Sequence, residues 1–250
     1  MISINLSGKT AVITGSGQGL GACTAALLAR AGANVVINYF NDSPGINLQR
    51  AKATADAIGN QALMLEADVR DPAAVAALFS RTLDHFGRVD IVINNAGILR
   101  DRSMKKMTPE EWGDVIDTNL TGAFNVCKAA AEKVSDGGRI VNISSIAAFQ
   151  GFFGQCNYAA AKGGIVSLTK VLCRELAKRN ITVNAVAPGV VLTEMGKTIP
   201  EAVRQEMLKS IPLGRFGEPA EIANVIVFLC SDLASYVTGQ TIHVSGGWWV

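Results

Sequence analysis

Tyr158 and Lys162 are separated by three alanines, so on a helix the phenol and the ammonium share one face and point into one cleft. A phenol, with a pKa of about 10, is a poor acid whose anion is scarce at neutral pH, and a neighbouring ammonium lowers that pKa toward a working range. A second set of residues suits anion binding: Thr14-Gly15-Ser16-Gly17-Gln18-Gly19-Leu20-Gly21 follows an apolar run and leads into an Ala/Leu-rich segment. Glycine lets the backbone approach a pyrophosphate, and the unpaired amides and positive dipole end of a following helix hold it. The only two histidines, His85 and His243, are isolated from each other, too few for a histidine-rich metal site or a Ser-His-Asp relay, so no metal is expected. Five cysteines (Cys23, Cys127, Cys156, Cys173, Cys230) are odd in number and lack C-x-x-C spacing. They indicate neither a disulfide framework nor a zinc knuckle and fit a reducing, cytoplasmic setting.

These residues need a scaffold, and the chain supplies one by alternation. Short apolar runs at 10–14, 34–39, 62–67, 91–94, 139–143, 182–187 and 241–244 predict strands, and their continuous apolar character predicts burial on both faces. Segments at 19–31, 48–58, 72–86, 109–134, 155–179 and 219–230 predict helices between them. Seven strands with helical crossovers predict an α/β, doubly wound Rossmann-type fold: a seven-stranded parallel sheet with helices on both faces. Ser145 follows the fifth strand, beyond the carboxyl edge of the sheet where ligands bind in such folds, and Asn119 falls inside the helix before it.

With 250 residues, 49% of them hydrophobic, and no linker, repeat or low-complexity stretch, residues 1–250 read as one domain. Residues 190–216 break the rhythm with Gly196, Pro200, Pro212 and Gly214, and suggest a substrate flap or a plain surface excursion. A net charge of +2, with basic residues scattered, argues against nucleic-acid binding. Residues 1–10 do not resemble a secretion signal, and the longest uncharged span, 140–161, carries seven polar side chains, so no membrane association is expected. The mean hydropathy of +0.27 fits a sheet buried on both faces and a subunit interface.

The spacing T-G-x-x-x-G-x-G at Thr14–Gly21 resembles the short-chain dehydrogenase/reductase family, and the match runs from about Lys9 to Gly247. Asp68-Val69 at the third strand is similar to the family segment that meets adenine, and Asn94-Asn95-Ala96-Gly97 to its N-N-A-G turn. Pro188-Gly189, with Val191 and Thr193, is similar to the segment that holds the nicotinamide carboxamide and phosphate. The resemblance implies a dinucleotide site built from Gly15, Gln18, Gly19, Leu20, Tyr39, Asp68, Val69, Asn95, Ala96, Gly97, Tyr158, Lys162, Pro188, Gly189, Val191 and Thr193. It also implies a catalytic tetrad of Asn119, Ser145, Tyr158 and Lys162. In the family's roles Tyr158 moves the proton, Lys162 lowers its pKa and bonds the nicotinamide ribose, Ser145 holds the substrate oxygen and Asn119 anchors a proton-relaying water. Taken singly the same residues admit plainer readings. Asp68 would cap a helix, Pro188-Gly189 would only turn, Tyr158 would be half-buried, Lys162 solvated, Ser145 a cap and Asn119 a kink. The second strand ends in Asn38-Tyr39 without the carboxylate an NAD site places there, which favours NADP, whereas Gln18 in place of an arginine and Asp42 close by keep NAD open.

Within the family, the segments at 94–98, 154–162 and 180–189 are most similar to 3-oxoacyl-[acyl-carrier-protein] reductases, enzymes of fatty acid biosynthesis. This implies a small carbonyl or alcohol substrate, carried by acyl carrier protein or coenzyme A, and a homotetramer packed through long helices and the last strand. An NAD-preferring dehydrogenase of a sugar, steroid or other secondary alcohol, and a non-catalytic dinucleotide sensor, are the rival readings. The family meets its acidic carrier with basic residues at the subunit edge; Arg179 fits one such place, while Asp136 stands where a second arginine is expected. Trp248-Trp249 suggests an interface plug or a lid on a neighbouring subunit, and Cys156 either faces the cleft or is an inert core thiol.

Overall fold

The computed structural model describes residues 3–191 and 201–250. The strands β1 (Thr10–Ile13), β2 (Asn34–Tyr39), β3 (Ala62–Glu66), β4 (Ile91–Asn94), β5 (Arg139–Ile143), β6 (Thr182–Pro188) and β7 (Thr241–Val244) form one sheet. All pairings are parallel, in the order β3-β2-β1-β4-β5-β6-β7. The order reverses between β1 and β4, and in such sheets ligands bind in the crevice beyond the carboxyl ends at that reversal.

The helices are α1 (Gly19–Arg30), α2 (Ile46–Ile58), α3 (Pro72–Phe86), α4 (Pro109–Ile116), α5 (Gly122–Lys133), α6 (Ala147–Gln150), α7 (Cys156–Glu175), α8 (Glu201–Lys209) and α9 (Pro219–Cys230). Side chains of β1 alternate between two cores: Ala11 and Ile13 pack toward α1 and α9, while Val12 packs toward α3, α5 and α7. Burial on both faces requires the continuous apolar runs of the sequence. Three helices begin alike. Asp71, Thr108 and Glu218 take the N-cap position before Pro72, Pro109 and Pro219, with capping boxes closed by Glu111 and Glu221. Proline suits that first position because its missing amide hydrogen has no intrahelical partner there.

The structure corrects several expected bounds. The predicted helix over 109–134 is three pieces, because a π turn, Asp117–Thr121, separates α4 from α5. The predicted helix over 155–179 ends at Glu175, with a 3-10 turn at Ala177–Arg179, and α6 is an element that the spacing does not predict. Of the expected flap at 190–216, residues 192–200 lie outside the described residues; of the remainder, Val191 bridges to Gly217 and α8 is helical. Among the described residues no helix is long and apolar enough to cross a membrane.

Candidate active site

The glycine turn is shaped by a partner strand. The Thr14 hydroxyl accepts from the amides of Asn95 and Ala96, each at 3.0 Å, and the Asn95 side chain donates to the carbonyls of Thr14 and Gly15 at 2.9 and 3.1 Å. Gly15 has φ +61°, and a Cβ there would stand 3.0 Å from Ala96 Cα; one on Gly21 would stand 2.6 Å from the Asn95 amide nitrogen. Side chains at either position would force the two turns apart. Gln18 is the exposed N-cap of α1 and makes no side-chain cap bond, Gly19 and Leu20 open the helix, and its first turn holds no acid. The leading amides of α1 are thus left for an anion, and the uncapped helix end behind a glycine cradle fits the pyrophosphate of a dinucleotide.

Tyr39 is half-buried at the end of β2. The nearest following carboxylate, Asp42, accepts from the Asn47 amide at 2.9 Å and so faces the start of α2. Asp68 is gripped by Arg70, with bonds of 2.6 to 3.0 Å from the guanidinium and 2.9 Å from the main chain. Burial pushes the Asp68 carboxyl up, but the Arg70 bonds outweigh it and hold the group below its usual range. Asp68 is not a helix cap; Asp71 is, accepting from Ala73 at 2.8 Å. Val69 is buried against Gly122 and its carbonyl accepts from Asn125 at 3.0 Å. Across the crevice the Pro188 carbonyl accepts from Ile146 at 3.1 Å, the Gly189 amide donates to Val244 at 3.0 Å, and Val191 follows half-buried. Thr193 lies outside the described residues.

Ser145, Tyr158 and Lys162 meet beyond the carboxyl end of β5. Lys162 is only 4% exposed, not solvated, and its ammonium donates to the Ile143 carbonyl at 2.7 Å. Its Nζ lies 5.6 Å from the centre of the Tyr158 ring. Burial pushes the Lys162 pKa down to about 8. Burial pushes the Tyr158 phenol up to about 12, opposed by a hydrogen bond with Ser145 and aided by the charge of Asp101. In the chain alone, without the cationic nicotinamide on which the expected lowering also draws, desolvation dominates the phenol. The Ser145 hydroxyl also accepts from the Ala147 amide at 3.1 Å, which ties the serine to the start of α6 as well as to the tyrosine.

Asn119 sits in the π turn, buried, with both ends of its side-chain amide bound to Ile98: Oδ1 accepts from its amide at 2.8 Å and Nδ2 donates to its carbonyl at 2.9 Å. A Cβ on Gly97 would lie 3.2 Å from Asn119 Oδ1 and 3.7 Å from Lys162 Nζ, so the N-N-A-G turn passes directly between them.

Two residues outside the expected set hold the site together. Asn38 accepts from the Gly15 amide at 3.1 Å and donates to the Ala67 carbonyl at 3.1 Å, tying the glycine turn to the end of β3. Asn157 donates to the carbonyls of Arg100 and Glu111 at 3.1 and 3.0 Å and accepts from the Tyr158 main-chain amide at 2.7 Å. The signal for Asn38 is a buried polar residue closing the apolar run Val35-Val36-Ile37; nothing in the spacing marks Asn157. The indole of Trp248 lies 5.3 Å from Phe152 and that of Trp249 6.0 Å from Phe149. Cys156 is half-buried with its sulfur 3.4 Å from that of Met107. Arg179 donates to Asp136 at 2.7 Å, to the Ala131 carbonyl at 2.6 Å and to the Val134 carbonyl, which caps α5.

The family model described as Enoyl-(Acyl carrier protein) reductase matches residues 15–249. The 3-oxoacyl-[acyl-carrier-protein] reductase FabG of Staphylococcus aureus (strain Mu50) is 43% identical over 244 residues, covering 96% of this chain and 97% of that protein. The protein of the same name from Aquifex aeolicus (strain VF5) is 43% identical over 252 residues, 98% of this chain and 99% of its own. Among solved structures, a short-chain dehydrogenase/reductase described as glucose/ribitol dehydrogenase from Brucella melitensis superposes with a TM-score of 0.93 at 33% identity, over 100% of both chains. A dehydrogenase/reductase from Sinorhizobium meliloti 1021 gives 0.93 at 34% identity, over 99% of this chain and 98% of its own. A doubly wound sheet, an uncapped helix behind a glycine cradle and matches spanning nearly the whole length together make this chain a member of the short-chain dehydrogenase/reductase family and an NAD(P)-dependent oxidoreductase.

Proposed function

We propose that the chain reduces a 3-oxoacyl thioester with NADPH, using Asn119, Ser145, Tyr158 and Lys162. The observation that carries this reading is the meeting of a half-buried phenol, a buried ammonium and a hydroxyl at the sheet's carboxyl edge. The 43% identity to 3-oxoacyl reductases, against 33% to the glucose/ribitol dehydrogenase, favours the thioester over a sugar.

When bound, the nicotinamide nucleotide supplies the hydride. The Ser145 hydroxyl holds the substrate oxygen, and the Tyr158 phenol delivers the proton as negative charge gathers there. With Tyr158 near 12 and Lys162 near 8, both carry their protons at pH 7, the state reduction requires. The Lys162 ammonium steadies the phenolate left behind, and a water held at Asn119 returns a proton. Gly15, Gln18, Gly19, Leu20, Tyr39, Asp68, Val69, Asn95, Ala96, Gly97, Pro188, Gly189, Val191 and Thr193 are proposed to line the nucleotide. β2 itself ends without a carboxylate, and Asp42 is turned toward the start of α2, which favours a 2′-phosphate. A homotetramer in the cytoplasm is part of the same reading, supported by exposed Phe124 on α5 and Val171 on α7.

The test is the initial rate of cofactor oxidation with a short 3-oxoacyl thioester, NADPH beside NADH. The expected result is turnover with NADPH at about tenfold or greater kcat/KM over NADH, worth about 1.4 kcal/mol. No turnover with either, while the nucleotide binds, removes the thioester.

A further inference from the structure

Residues 100–106 read Arg-Asp-Arg-Ser-Met-Lys-Lys and run along the mouth of the site just before α4. Their four cations are not equivalent. Arg102 is bonded twice to Glu111, at 2.7 and 3.0 Å, and Arg100 stands 3.7 Å from Asp114. Lys105 and Lys106 are exposed and make no ion pair among the described residues. The amides of Lys106 and Met107 donate to Ser103 at 2.8 and 3.0 Å, which fixes the turn that presents the lysines.

This turn is strapped to the segment before α7. The Arg102 amide donates to Gly154 at 2.8 Å, and the Gln155 side chain donates to Asp101 at 2.7 Å. Between the two segments lies a cavity of about 290 Å³ whose walls include Met104, Phe152, Phe153, Cys156 and Ala159, the last adjoining Tyr158 in sequence. Its rim carries a phenyl ring 94% exposed, that of Phe153, and the Met104 thioether, 72% exposed. Large apolar side chains in water beside unpaired cations form a surface suited to a macromolecule, since a small anion needs no apolar cover.

The other place for a carrier is taken. The Arg179 guanidinium is paired with Asp136 and donates to two carbonyls at the end of α5, which holds it against its own chain. We propose that the rim of Met104, Lys105, Lys106 and Phe153 is where an acidic carrier protein docks to present its thioester. This rests on the thioester reading above. The lysines meet carboxylates of the carrier, which steers encounter, and Met104 and Phe153 bury against its apolar surface.

The experiment compares one 3-oxoacyl group on three carriers: acyl carrier protein, coenzyme A and N-acetylcysteamine. In the double variant Lys105→Glu/Lys106→Glu the expected result is a rise of about tenfold or more in KM for the protein-borne substrate, with kcat unchanged. The salt dependence of kcat/KM flattens, and both small thioesters behave as in the wild type. Phe153→Ser, which touches no charge, is expected to raise the same KM alone. An unchanged KM for the protein-borne substrate in both variants overturns the docking surface. So does an equal loss on all three carriers, or a loss confined to coenzyme A, which would assign the lysines to its phosphates. If the wild type reduces none of the three, the thioester reading falls and takes this inference with it.

Discussion

Lys162 keeps an ammonium where water hardly reaches, held by one carbonyl. Burial lowers its pKa from 10.5 to about 8, so the folded chain releases that proton while the unfolded chain keeps it. Stability contributed at this site therefore rises with pH across that window, by about 3 kcal/mol over 2.5 pKa units. Urea unfolding of wild type and Lys162→Met from pH 7 to 10.5 should show the wild type gaining ground on the variant; a constant gap would mean that the ammonium is not desolvated. The same proton governs catalysis, and the reduction rate is expected to fall above about pH 8 as the charge that steadies the phenolate is lost. Tyr158→Phe should bind NADPH within about twofold of wild type and lose turnover by about 10² to 10⁴. Fluorescence titration and a rate assay on one preparation separate the two effects. Tyr158 and Lys162 were legible as a pair because helical spacing alone puts them on one face. Their burial was not, since it depends on β5 and the turn at Gly97, which are remote in sequence.

The π turn at Asp117–Thr121 is the element the pattern could not announce. Apolar spacing over 109–134 carries no local mark of it, because its cause is a remote partner. What fixes it is the two-point grip of Asn119 on Ile98. The starts of α3, α4 and α9 were legible by contrast, because Pro with its preceding cap is a local signal. The end of α5 is closed from a distance by Arg179. Arg179→Ala removes charge-assisted bonds to two helix-end carbonyls and should cost about 2 to 3 kcal/mol in denaturant unfolding. Its KM for a carrier-borne thioester should stay as in the wild type. An increase there with intact stability would return this arginine to the docking role that the family resemblance implies.

At the scale of the whole molecule, the parallel, doubly wound sheet was legible from alternation and crossover rules, whereas its strand order came only with the structure. Two cores on opposite faces of one sheet share every strand from β1 to β6, so we expect residues 1–250 to unfold in one transition. NADPH at a hundred times its Kd should add about 2.7 kcal/mol, a rise of about 5 to 10 °C in Tm, and NADH at the same concentration should give less. Two separate transitions in calorimetry would count against a single domain. The packing of Trp248 and Trp249 was not legible, because it depends on where α6 lies. The Thr14 hydroxyl has a further consequence, in time. Its partners Asn95 and Ala96 stand 81 and 82 residues along the chain. At ribosomal speed that stretch takes about 4 to 16 s to appear. Until β4 arrives, the glycine turn has nothing to shape it and the nucleotide has no cradle. In refolding, the recovery of nucleotide binding should follow the slow closure of β1 on β4, never precede it.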